Sequence, residues 1–151
     1  MDNHIHLLVS ERIENGLLLF SQKMSGYARY FNNRHKRRGQ LFEKGTKKIL
    51  IEHEAHFLYI LHYLHLNGLD DFPAAKKWRE RDKGYVTDIE GTLKHLLDDR
   101  WSSYRDYCNV RNFPSILTKT LFESHGENYA SEIREYLKDR DIADIDFSRF
   151  E

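Results

Sequence analysis

The sequence predicts an α+β domain, a small sheet with helices packed on it, and three observations lead there. The opening stretch "MDNHIHLLVS" alternates His4, His6 and Leu8 with a period of two, the spacing of a β-strand. Two longer stretches carry apolar residues at spacings of three and four, the pattern of amphipathic helices. Between them "KKILIE" is a short β-branched run flanked by charge, which reads as a second strand.

Each element follows in order. On the first strand both imidazoles face the same way, either as a pair able to hold a metal ion or as two polar groups on a solvated face. Leu17, Phe20, Met24, Tyr27, Ala28 and Phe31 then form one stripe on a helix that begins near Asn15. The stripe is expected to be core, and the helix is expected to stop at Gly39, after "NNRHKRR". A second helix, "EHEAHFLYILHYLHLN", ends before Gly68. It groups Phe57, Ile60, Leu61 and Leu64 on one arc and His56, Tyr59, Tyr63 and Asn67 on the next. The imidazoles of His53, His56, His62 and His65 scatter around this helix and are expected at its surface. Residues 68–88 mix Gly, Pro and charge without a period and read as irregular. "IEGTLKHLLDDR" is a short helix, "WSSYRDY" an aromatic docking segment, and "PSILTKTLF" and "NYASEIREYLKD" two further helices.

With 151 residues, 40% hydrophobic and 32% charged, the chain suits one globular domain and is neither disordered nor a membrane protein in composition. No apolar run approaches the ~20 residues of a membrane span, and the N-terminus carries neither a basic leader nor an extended apolar core. The expected location is cytoplasmic, with no membrane partner. A single cysteine, Cys108, excludes an internal disulfide and a cysteine-rich zinc site. Lysine plus arginine balance aspartate plus glutamate at 24 each, yet the basic residues gather in "NNRHKRRGQLFEKGTKK". That run is either a solvated loop or a surface for an anionic ligand.

Five pieces of sequence resemble the single-tyrosine HUH transposases, in the branch associated with repetitive extragenic palindromes. They are "MDNHIHLLV", "YxxYFN" at Tyr27 to Asn32, "RRGQLFEK" at Arg37 to Lys44, "YLHLN" at Tyr63 to Asn67, and "WSSY" at Trp101 to Tyr104. The resemblance runs from residue 1 to about the "ILTKTLF" segment and starts in the middle of the family's histidine strand. It implies an N-terminally truncated HUH domain, a ferredoxin/RRM-like antiparallel sheet with packed helices. One domain over 1–151 is expected, with a catalytic-core part over 1–69, an irregular insertion over 70–100 and a C-terminal helical part over 101–151.

By motif, the resemblance makes His4 and His6 paired metal ligands and Tyr63 the nucleophile. Asn67 becomes a candidate third ligand, or it caps the helix before Gly68. The implied cofactor is a divalent cation, magnesium or manganese, because a free phenol with a pKa near ~10 is protonated at neutral pH and needs a Lewis acid beside it. The implied reaction cuts single-stranded DNA at a hairpin through a 5′-phosphotyrosine link. Arg34, Lys36, Arg37, Arg38, Lys44, Lys47 and Lys48 would track the phosphates, with Tyr30 the freest ring for stacking a base. A homodimer is compatible with the resemblance. Gly68 stands where the family has proline, a departure that supports an alternative: a catalytically decayed or domesticated module that still binds hairpin DNA. A third reading is a helical interaction protein in which the two histidines are accidental.

Overall fold

The structure is a computed structural model that describes residues 5–42, 47–52, 54–79, 86–120, 122 and 128–138. Among the described residues it is helical and contains no β-strand, which corrects the expected α+β class and its small antiparallel sheet. Residues 5–12 and 47–52 form no regular element. The period of two survives in the first segment: Ile5, Leu7 and Val9 are exposed, whereas His6 and Leu8 are half-buried. Alternation is a local property, but a strand also needs a neighbour to accept and donate its backbone hydrogen bonds, and neither segment finds one among the described residues.

The chain divides into two compact units, Leu7–Leu50 and a larger one formed by Met1–His6 with Ile51–Glu151. The smaller unit holds helix α1, Gly16–Arg34, which starts directly after Asn15 as the sequence predicts. Its first turn is capped by Glu11 Oε1, which accepts the Leu17 N–H at 3.1 Å. Its end differs from expectation. Lys36 takes a left-handed backbone (φ 52°), the Arg37 N–H donates to Asn32 O at 2.9 Å and the Lys36 N–H to Asn33 O at 3.3 Å. These two bonds close a Schellman motif three residues before Gly39, with lysine in the place usually held by glycine. The apolar stripe of α1 is not core either: no residue of this helix is buried, and Phe20 and Tyr27 are exposed.

The larger unit contains helices α2 (Glu54–Leu66), α3 (Ile89–Asp98), α4 (Tyr104–Tyr107) and α5 (Tyr129–Lys138). Helix α2 runs into a 3-10 turn at Asn67–Leu69. Ile60, Leu61, His62, Tyr63, His65 and Leu66 are all buried and Leu64 is half-buried, so its last two turns are enclosed on most sides. Helix α3 packs against α4, α5 and the 3-10 turn. It is set by Asp88, whose Oδ1 accepts the Gly91 N–H at 2.8 Å, and it presents Leu93 and Leu96 to the core. Residues 69–78 chain three further turns through Phe72 to Leu69, Ala75 to Phe72 and Trp78 to Ala75 hydrogen bonds. That places Ala75 and Trp78 in the core. "PSILTKTLF", read as a helix, holds a 3-10 turn at Pro114–Ile116, while its Phe122 is buried and stacks on Phe57 at 4.7 Å. No helix among the described residues is long and apolar enough to cross a membrane.

Candidate functional site around Tyr63

Helix α2 brings Tyr63 into the core of the larger unit, at 1% exposure. Among the described residues, His6, Trp78 and Arg79 lie against its ring. The His6 imidazole meets it edge-on, with centroids 5.9 Å apart and planes at 80°. The Trp78 indole lies 6.3 Å away, and the Arg79 guanidinium carbon stands 5.7 Å from the ring centroid. The structure therefore brings together His6 and Tyr63, which the sequence separates widely. His4 lies outside the described residues.

Asn67 follows Tyr63 by one turn and is also buried, at 1% exposure. Its side chain does not cap the helix, because Asn67 keeps a right-handed backbone in the 3-10 turn and its Oδ1 accepts a hydrogen bond from Arg79 Nη2. Its Nδ2 has no hydrogen-bond partner among the described residues. Arg79 Nη1 donates to Asp70 Oδ1, the same oxygen that accepts the Trp78 Nε1–H at 2.9 Å. The guanidinium also lies over the Trp78 ring, 4.4 Å from its centroid. This group of four residues sits at the C-terminal end of α2 and in the turns that follow.

A divalent cation bound by Asn67 would need its amide oxygen, and that oxygen already accepts from a permanent cation. The remaining amide atom is a donor and cannot ligate. No group of three or more His, Cys, Asp or Glu residues converges on a metal position among the described residues. The described donors therefore do not fit a metal centre built on Asn67, and among the described residues the guanidinium of Arg79 places positive charge beside the Tyr63 ring.

The basic segment belongs to the Leu7–Leu50 unit. Arg34, Lys36, Arg37, Arg38, Lys47 and Lys48 are all exposed, and Lys44 lies outside the described residues. Along the last turns of α1 the rings of Tyr27, Phe31 and His35 follow one another at 6.1 and 4.3 Å, with Arg37 over Phe31 at 5.8 Å. Tyr27 and Tyr30 are 49% and 61% exposed, so both rings are accessible beside the cations.

A second buried polar group lies on the other side of α2. His65 is 2% exposed rather than on the surface, and His62 is buried as well. Nδ1 of His65 shares a hydrogen bond with Tyr129 Oη and Nε2 one with Ser103 Oγ, each 2.7 Å long. Burial, reinforced by nearby His62, lowers its pKa to about 3. Burial likewise pushes the phenols of the surrounding Tyr104, Tyr107 and Tyr129 up, so His65 and these three phenols are neutral at about pH 7. Hydroxyls can donate or accept, so either tautomer of a neutral imidazole is satisfied here. The cluster ties α2 to α4 and α5 and has no exposed nucleophile.

The sequence reading missed Asp70, Trp78 and Arg79, which lie in the stretch read as irregular. One signal was available: Trp78 is a large aromatic residue in a charged, turn-rich segment, where burial is its ordinary fate. Within the aromatic docking segment Tyr104 is buried, whereas Trp101 is 82% exposed, with Arg100 and Phe113 beside its ring. Comparison of the chain with models of protein families, with curated proteins and with solved structures finds no match.

Proposed function

We propose that the chain is a DNA-binding protein of the single-tyrosine HUH transposase type, acting on single-stranded or hairpin DNA with Tyr63 as the strand-breaking nucleophile. The observation that carries this reading is the edge-on contact between His6 and Tyr63, two residues that the sequence resemblance pairs and that come from distant parts of the chain. The exposed cations with Tyr27 and Tyr30 beside them supply the second support, since such a surface follows phosphates and stacks bases.

In the reaction, the Tyr63 oxygen gives its proton to water and attacks phosphorus. A phosphorus–oxygen bond to tyrosine forms, the bond to the 3′ oxygen breaks, and that oxygen takes up a proton to leave as a 3′-hydroxyl. Arg79 is the group able to stabilise negative charge that develops beside the Tyr63 ring. Because Tyr63 is buried, the DNA must open a way to it.

That burial, together with the hold of Arg79 on Asn67, favours a second reading: a module that binds hairpin DNA without cutting it. A labelled hairpin oligonucleotide separates the two. Under the first reading the wild-type chain, with magnesium or manganese supplied, forms a denaturant-resistant adduct, and Tyr63→Phe binds equally but forms none. Binding without any adduct leaves the second reading. A chain that neither binds the hairpin nor responds to the ion is the helical interaction protein, and both DNA readings fall.

A further inference from the structure

We infer that Asn67, Trp78 and Arg79 form an anion cradle beside Tyr63, that the Asp70 carboxylate occupies it from within, and that a nucleic-acid phosphate takes the place of Asp70. The identity of that phosphate rests on the DNA-binding reading above. The cradle itself rests on the donors. The indole N–H of Trp78 and a guanidinium N–H of Arg79 converge on a single oxygen, Asp70 Oδ1. Two donors of different chemistry aimed at one anionic oxygen describe an oxyanion site, whatever group supplies the oxygen.

Asn67 provides the independent observation. Its Nδ2 is buried without a hydrogen-bond partner among the described residues, while the oxygen of the same amide already accepts from Arg79. A buried unsatisfied donor is costly, and a carboxylate held by one oxygen leaves it unmet. A phosphate, with three or four acceptor oxygens, has atoms to spare for Asn67 as well as for Trp78 and Arg79. The site is also reachable, because the side chains of Arg79 and Asp70 remain 27% and 38% exposed. Tyr63 stands against the same guanidinium, whose carbon lies 5.7 Å from the centroid of its ring.

Asp70 competes as a tethered ligand. An internal group of this kind acts at an effective concentration of about millimolar or more, which a free monoester must exceed before it binds. Removing the charge at residue 70 while keeping its shape should therefore raise phosphate affinity by about tenfold or more.

The chain contains two tryptophans, so its indole N–H resonances in a nitrogen-15 spectrum are those of Trp78 and Trp101, distinguished by Trp101→Phe. Titration with inorganic phosphate should shift the Trp78 indole in Asp70→Asn, and in Asp70→Ser, at concentrations that leave wild type unmoved. Adding Arg79→Gln to Asp70→Asn should abolish the shift. A Trp78 indole that ignores phosphate in both Asp70 variants, or that responds equally when Arg79 is replaced, overturns the inference. The same proteins are then given the hairpin oligonucleotide. Phosphate binding by Asp70→Asn with no hairpin binding by any variant keeps the cradle and removes the DNA reading. Hairpin binding by wild type with no phosphate response in the Asp70 variants keeps the DNA reading and removes the cradle.

Discussion

Lowering the pH from about 7 to about 5 should destabilise the larger unit by about 2 kcal/mol through His65 alone. In the unfolded chain this imidazole has its ordinary pKa near 6.5, and in the folded chain burial lowers it to about 3. Between those two values the unfolded state binds a proton that the folded state refuses. Stability is therefore complete above the unfolded pKa and is lost as pH falls below it, with the loss levelling off only near the folded value. At about pH 5 the ratio of the two protonation polynomials is about thirtyfold, which gives the figure above at 25 °C. The assay is urea unfolding of wild type and His65→Gln at both pH values, read by tryptophan fluorescence. The variant starts weaker, because Ser103 and Tyr129 lose their geometry, yet it should lack this share of the pH dependence. Equal changes in wild type and His65→Gln between the two pH values would refute the reasoning, and so would a wild type that gains stability on acidification.

Two further predictions concern the frame that holds the site. Asp88→Ala removes the acceptor of the Gly91 N–H and should cost about 1 kcal/mol, seen as a lower urea midpoint with an unchanged slope. Leu96→Ala, at a position only 1% exposed where α3 meets the core, should cost about 3 kcal/mol, and a loss below about 1 kcal/mol would mean that α3 does not pack as described.

The helices were legible because their signals are local. Asn15 at the start of α1, the short run "IEGTLKHLLDDR" of α3, and the run of α2 up to Gly68 each declare an element within a few residues. The strands were misread for the converse reason: alternation at His4, His6 and Leu8 says which way side chains point, and pairing is decided elsewhere. The end of α1 was misplaced because Gly39 is the expected left-handed residue, whereas Lys36 adopts that conformation and the two Schellman bonds compensate it. Within the site, Tyr63 and Asn67 stood out by their spacing of four. Arg79 did not, because it reaches Asn67 through successive turns that have no sequence period. His65 looked like surface because histidine is polar, and its two hydroxyl partners stand 38 and 64 residues away.

The division of the chain into two compact units bears on how any melting curve should be interpreted. Trp78 and Trp101 both belong to the unit that includes Ile51–Glu151, so indole emission reports the unfolding of that unit. Helix α1, with no buried side chain, gains little from packing and can unwind at a free energy far below that of α2. Far-ultraviolet dichroism, which counts helix wherever it occurs, should then decline ahead of the fluorescence, and a single transition temperature would describe only part of the molecule.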